Sequence, residues 1–503
     1  MDVPRRALAM LQFALLSVSL HAAGATASPP ADQVRAARAG LALAKAYFVS
    51  AASPDDSGVG REAVAAWRDC ARLYEDCGSR LRRLAAGGGR SIPEARTWLS
   101  GAVTSHRTCM DGLLEQGLPP PPVQLAENLT SLLTTALMAY HEKDGSGEDL
   151  MVNCSSRGGA PDVTEAHGGN STIFDGLLTA WDPSSWKADI VVAKDGSGGY
   201  QTINDALAAL SHQRRRQNQR TVIYVKAGVY SENVEVGRTL RNMMLVGDGI
   251  DKTTVTGSRS VPDGYTTYSS STFGVSGDGF WARDMTFENT AGPGKHQAVA
   301  LRASSDLAVF YRCSFRGYQD TLFAHSQRQF YRDCDVYGTV DFIFGNAAAV
   351  LQNCNIYVRR PLGHQSNMIT AQGRGSPYEA TGTSIHRSRV LPAPDFQGAK
   401  QSFSSFLGRP WQKYSRVVFM ETELDGLVNP KGWAEWSGDF ALDTLYYGEY
   451  MNTGDGGATA GRVNWRGFHV LKETGEASPF TVGSFIQGEA WIRLSGVPFW
   501  GGL

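Results

Sequence analysis

The sequence predicts an all-β parallel β-helix preceded by an all-α helical bundle, and three observations carry that prediction. Four short apolar segments in the second half share one frame at a spacing near 21 residues. Apolar residues in the first third recur instead in steps of three and four. A stretch rich in Gly, Ser, Asp and Asn separates the two regions.

The chain opens MDVPRR, runs apolar from Ala7 to Leu20 and reaches Ala25-Thr26-Ala27. Charged start, apolar middle and A-x-A end read as a secretory signal over residues 1–27, removed after Ala27. The apolar run is short for a membrane anchor, and no later segment approaches a span, so export without a membrane attachment is expected. The 503 residues are 19% charged and 42% hydrophobic, with 56 glycines and 18 tyrosines, which excludes a disordered chain. A formal net charge of −1 points to no nucleic-acid partner, and the basic run RRRQNQR at 214–220 reads as a solvated loop. Sequons at Asn128, Asn153 and Asn170 fit a secreted glycoprotein.

Residues 28–145 read as about four helices in an antiparallel bundle. Trp67, Cys70, Tyr74, Cys77, Leu81 and Leu84 lie on one helix face, and Leu99, Ala102, Cys109 and Leu113 on another. Residues 146–187 read as a linker. From 188 to 503 the chain changes to short β-branched and aromatic runs. RDMTFEN, YRCSFRG, RDCDVYG and QNCNIYV place Met285, Cys313, Cys334 and Cys354 in one phase, 28, 21 and 20 residues apart, each followed two residues later by Phe287, Phe315, Val336 or Ile356. A coil near 21 residues with alternating side chains is what stacked parallel strands require. Seven cysteines leave at least one thiol unpaired within the chain. Strands about 4.8 Å apart put Cys313 and Cys334, or Cys334 and Cys354, within bridging reach, and geometry leaves that choice open.

The same frame makes a prediction about chemistry. Asp320 follows Cys313 by seven residues and Asp341 follows Cys334 by seven, so the two carboxylates occupy one position on successive coils. Asp341 stands in the apolar run VDFIFGN, where a lone buried carboxylate costs several kcal/mol. Two such neighbours cannot both ionise cheaply: one is pushed to hold a proton and the other is left as the anion, the division needed for a general acid and a nucleophile. Carboxylate pairs also serve solenoids as turn caps or calcium ligands, and the neighbouring residues decide between the readings. Gln319 precedes Asp320, Gln297 lies 22 residues earlier, and LGRPW adds Arg409 and Trp411. Stacked amides can donate to an oxyanion, and a guanidinium can orient a carboxylate. No G-x-S-x-G motif competes, and His296, His325 and His364 have no serine partner in a recognisable setting.

Taken together, GVYSE (228–232), HQAVAL (296–301), YQDTLF (318–323), VDFIFGN (340–346) and LGRPW (407–411) resemble the plant pectin methylesterase family over about residues 188–500. WRDCARLYEDC and WLSGAVTSHRTCMDGL resemble that family's inhibitor-like pro-region. The resemblance implies a right-handed parallel β-helix that hydrolyses the methyl esters of cell-wall polygalacturonate without metal or cofactor, in the extracellular space. It implies Asp341 as nucleophile, Asp320 as proton donor and then base, and Gln319 and Gln297 as oxyanion stabilisers. Arg409 orients Asp341, while Thr267, Gln297, Arg409, Trp411 and Phe323 contact the sugar chain. It implies disulfides Cys334–Cys354 and Cys70–Cys109, with Cys313 free and Cys77 and Cys154 unassigned. A separate inhibitor protein and the chain's own pro-region are its implied protein partners. The sequence departs from the family in Phe323, where Tyr is common, in lacking the first cysteine-paired hairpin of the pro-region, and in carrying Lys187 alone where a dibasic processing site is common. A catalytically inactive pectin-binding or inhibitory protein of the same fold is the alternative reading, opposed by the intact set of site residues. A lyase would need a calcium-binding acidic cluster that is not seen around Asp320 and Asp341.

Overall fold

The computed structural model describes residues 29–52, 60–86, 91–143, 176–211 and 219–503. The expected signal segment, Cys154 and the sequons at Asn153 and Asn170 lie outside them; Asn128 sits half-buried on a helix.

Among the described residues four helices form the N-terminal bundle: α1 (Pro30–Ala51), α2 (Arg61–Ala85), α3 (Ile92–Glu115) and α4 (Val123–Lys143). The three-and-four stepping of their apolar residues puts Phe48, Tyr74, Leu81, Leu99 and Leu133 in one core. Ser91 caps α3 by accepting the Glu94 N–H at 3.3 Å, with a proline in the first turn. The Cys70–Cys109 disulfide ties α2 to α3 across a Cα–Cα distance of 4.7 Å, and the Tyr74 hydroxyl meets His106 Nδ1 at 2.9 Å in the same layer.

From Ile190 onward the described strands form three all-parallel sheets of eleven, seven and eight strands, each coil giving one strand to each sheet. This is a parallel β-helix, and the frame read from the sequence is its register: Phe287 pairs with Phe315, Phe315 with Val336, and Val336 with Ile356. These side chains point inward and are fully buried. Aromatic rings stack along the axis, Phe310 on Tyr331 at 5.0 Å and Phe287 on Phe315 at 5.9 Å. Immediately before each in-facing residue of the frame, Asp284, Arg312, Asp333 and Asn353 take left-handed backbone angles, φ between 50° and 58°, which turn the chain from one sheet to the next.

Three expectations need correction. Cys334 and Cys354 are not bonded to each other; with Cys313 they are three free, buried thiols. Stacked parallel strands aim their Cβ atoms in one direction, into the core, and the Cys334 and Cys354 thiols donate to the carbonyls of Arg332 and Gln352 two residues back. The end of the expected linker is packed structure, because the apolar LLTAW forms a helical turn (Leu177–Ala180) that buries Leu177, Leu178 and Trp181 against the outer face of the eleven-stranded sheet. Arg220, at the end of the basic run, lays its guanidinium over Trp281 at 3.2 Å and donates to the carbonyls of Gly279 and Met243 instead of facing solvent.

Candidate active site

The outward face of the seven-stranded sheet carries Arg302, Phe323, Phe344 and Ala371 in register, and the site lies along it. Asp320 and Asp341 each sit two residues before a strand of this sheet, Leu322–Ala324 and Ile343–Gly345, and the Leu322–Ile343 pairing sets them side by side on adjacent coils. Both take a left-handed backbone, φ 62° and 52°. That turn breaks the alternation of VDFIFGN: Phe342 faces the core while Asp341 escapes it.

The two carboxyl groups have different surroundings. Arg409, just past the strand Ser405–Gly408, reaches back with a two-pronged contact to Asp341, Nε to Oδ1 at 2.8 Å and Nη2 to Oδ2 at 2.6 Å. Burial raises the Asp341 pKa, and the guanidinium works against that rise. Among the described residues no guanidinium bonds Asp320, and Arg409 acts on it only as a more distant charge. Burial first, then the charges of Asp341 and Glu115, push it well above the carboxylate range. A proton shared within the pair therefore rests on Asp320. Gln319 precedes Asp320 at the same corner, and the Ala298 N–H donates to the Gln319 carbonyl, which places Gln297 and Gln319 on neighbouring coils, both half-buried.

Aromatic rings floor the site. Phe323 stacks on Phe344 at 4.2 Å, and Trp411 meets Phe344 at 6.0 Å. Trp411 lies so close to Gly373 that a Cβ there would come within 2.8 Å of its ring. Trp436, which the sequence reading missed, lies under Arg409 with the guanidinium 4.4 Å from its ring centre.

The bundle covers this floor. Tyr268, Val299, Phe323, Phe344 and Ala371 belong to the same apolar cluster as the helices. Along one face of α3, Ser100 Oγ accepts the Ala380 N–H at 3.0 Å, Thr104 Oγ1 accepts from Asn346 at 2.7 Å, and Arg107 donates to the Gly373 carbonyl at 2.8 Å and to Glu379 at 3.2 Å. Thr267 is in the site, but its N–H and Oγ–H both go to the Glu115 carboxylate, each at 2.7 Å. Glu115 was not anticipated; the helical period marks a face as covered without saying what covers it. His325 does touch serines, Ser304 and Ser326, both at 3.0 Å from Nδ1, while Nε2 faces Thr108 of α3. Among the described residues no carboxylate bonds the ring, and burial holds it neutral, well below its ordinary pKa.

Comparison with known proteins identifies the family of both regions. Residues 189–489 match the Pectinesterase family model, and residues 14–139 match that of the plant invertase/pectin methylesterase inhibitor. The chain is 53% identical over 450 residues to an Arabidopsis thaliana protein named probable pectinesterase/pectinesterase inhibitor 36, covering 86% of each chain. It is 51% identical over 445 residues to pectinesterase 2 of Citrus sinensis, covering 87% of this chain and 82% of that one. Among solved structures, pectin methylesterase from carrot superposes with a TM-score of 0.62 at 52% identity, over 64% of this chain and all of the carrot chain.

Proposed function

Because the chain belongs to the pectinesterase family, we propose that it hydrolyses the methyl esters of cell-wall homogalacturonan, giving pectate and methanol, with Asp341 as nucleophile. The observation that carries this reading is the asymmetry of the carboxyl pair, one held by a two-pronged guanidinium and the other left to keep a proton.

In this reading Asp341 attacks the ester carbonyl, and a carboxylate aimed by Arg409 needs no base to become a nucleophile. The tetrahedral oxyanion takes hydrogen bonds from the Gln319 and Gln297 amides. Asp320 gives its proton to the departing methanol, leaving an anhydride on Asp341. Asp320, now a carboxylate, removes a proton from the water that opens the anhydride, which returns both groups to their starting forms. Phe323, Trp411 and Thr267 line the path of the sugar chain, and no step calls for a metal or cofactor. The N-terminal sequence and the sequons support secretion to the cell wall. The bundle rests on the cleft floor, so the reaction requires it to be displaced or removed.

The test is methanol release from highly methylated pectin by a 176–503 segment, which keeps Trp181 on its seat and lacks the bundle. The carrot chain, matched over its whole length by 64% of this one, supports folding of the β-helix alone. Release of methanol at rates typical of esterases is expected; a folded segment that releases none overturns the reading.

A further inference from the structure

The last coils of the β-helix bury an ion pair that the chemistry at Asp341 does not use. Glu449 lies on the strand Tyr446–Tyr450, two residues after the core residue Tyr447 and on the same face. Coil by coil, the column beneath it holds Leu351, Ile385 and Phe419, all core residues. A carboxylate, 2% exposed, continues that apolar column. Arg462 meets it with two prongs, Nε to Oε1 at 2.7 Å and Nη2 to Oε2 at 3.0 Å. Well-packed apolar side chains of similar volume are often as stable in such a place, and the best-attested use of a buried pair is to fix one arrangement of the chain over others.

The arrangement fixed here is that of residues 430–436. Arg462 Nη1 donates to the Pro430 carbonyl at 3.1 Å, and the Val463 N–H donates to the Lys431 carbonyl at 3.1 Å. Gly432 takes a φ of 71° and lies so close to Arg462 that a Cβ there would collide with its side chain. From the other side, Trp433 Nε1 donates to Glu449 Oε1 at 3.2 Å, and the Trp433 ring stacks on Tyr447 at 4.1 Å. Both members of the pair thus hold the same short stretch.

Arg409 stands on that stretch. The Leu407 N–H donates to the Gly432 carbonyl at 2.7 Å and the Ala434 N–H to the Gly408 carbonyl at 3.0 Å, so residues 432–434 run beside the strand Ser405–Gly408. Arg409 is the next residue of that strand's chain. Two residues past Ala434, Trp436 offers its ring to the Arg409 guanidinium at 4.4 Å. The backbone that launches Arg409 and the ring beside its guanidinium therefore share one pinned segment. A two-pronged contact such as that of Arg409 with Asp341 tolerates a displacement of only about 0.5 Å.

We propose that the Glu449–Arg462 pair is a positioning device for Arg409: by pinning residues 430–436 it aims the Arg409 guanidinium at Asp341. The pair acts through Trp433, Gly408 and Trp436 and not on the substrate. Its effect on rate rests on the esterase reading; the aim of the guanidinium does not.

NMR of the full chain carrying nitrogen-15 arginine reads that aim without substrate. The Arg409 Nε–H, which donates to Asp341 Oδ1, is assigned by its loss in Arg409→Lys. In Glu449→Gln and in Arg462→Lys its exchange with solvent is expected to quicken about tenfold or more, and in Trp433→Phe by a smaller factor. Glu449→Leu combined with Arg462→Met strands no buried charge, and it should show the same quickening of about tenfold or more. Phe310→Ala weakens the core without touching this segment and should leave the Arg409 exchange within about twofold of the parent. Unchanged Arg409 exchange in the folded Glu449 and Arg462 variants overturns the proposal. If none of these folds, unchanged exchange in Trp433→Phe overturns it equally. In the 176–503 segment the same variants should move the acid limb of methanol release to higher pH, because an Asp341 less firmly held keeps its proton longer. An unmoved limb in a segment whose parent is active overturns the proposal. A parent that releases no methanol defeats the esterase reading instead, and the exchange of Arg409 alone then decides between a positioning and a merely structural pair.

Discussion

Replacing Arg409 by Lys keeps a positive charge beside Asp341 but removes the two-pronged grip at 2.8 and 2.6 Å. A hydrogen bond to a charged group contributes about 1.5–3 kcal/mol net, and the lysine can restore one of the two. Losing the other removes that much stabilisation from the Asp341 anion, equivalent to about one to two pKa units upward. The sign follows from the chemistry: Asp341 attacks only when ionised, so the acid limb of the pH profile moves to higher pH. The assay is methanol release by the 176–503 segment from pH 4 to 9. The expected result is an acid limb displaced upward by about one to two units, with kcat at neutral pH reduced about 10- to 100-fold. A profile lowered at all pH values with its acid limb unmoved refutes the idea that Arg409 acts by holding Asp341 ionised. In that case the guanidinium serves substrate binding alone.

The three stacked cysteines predict that alkylation of the denatured, unreduced 176–503 segment labels Cys313, Cys334 and Cys354 alike; a single label means that two of them are bridged. Phe310, fully buried between the Phe280, Phe315 and Tyr331 rings, should cost about 3–5 kcal/mol as Phe310→Ala, read from denaturant unfolding of the segment. Phe344→Ala removes a ring that the bundle buries, so the loss of thermal stability should be larger in the full chain than in the 176–503 segment. Phe323→Tyr restores the common family residue on a ring already stacked in place and should change kcat less than about threefold, about 0.6 kcal/mol.

Much of this arrangement was legible because a solenoid writes its period into the chain. Met285, Cys313, Cys334 and Cys354 share a phase in the sequence and a column in the structure. The same count that aligned them put Asp320 beside Asp341. What the letters of VDFIFGN did not disclose was how a carboxylate leaves an apolar run. The left-handed turn at Asp341 does this, and left-handed geometry at an aspartate has no sequence mark of its own. The shared phase of the cysteines spoke for proximity and said nothing of bond vectors, so a bridge expected from resemblance is absent. Glu115 was illegible for a different reason. Its position on α3 is one of many polar helix ends, and only the tertiary contact of the bundle with the cleft gives it Thr267 and Asp320 as neighbours. The row of Ser100, Gly101, Thr104, Thr108 and Gly112 was the available signal, a small and polar face on a helix whose other face already supplies a core.

The central claim is that two carboxyl groups in equivalent places have different tasks because only one of them has a guanidinium. Methanol release by Asp341→Asn in the 176–503 segment, with folding checked by its thermal transition, tests this most directly. The asparagine keeps the volume and removes the nucleophile, so a loss of at least about a thousandfold in kcat, about 4 kcal/mol, is predicted. A folded variant that retains activity within about tenfold of the parent contradicts the claim.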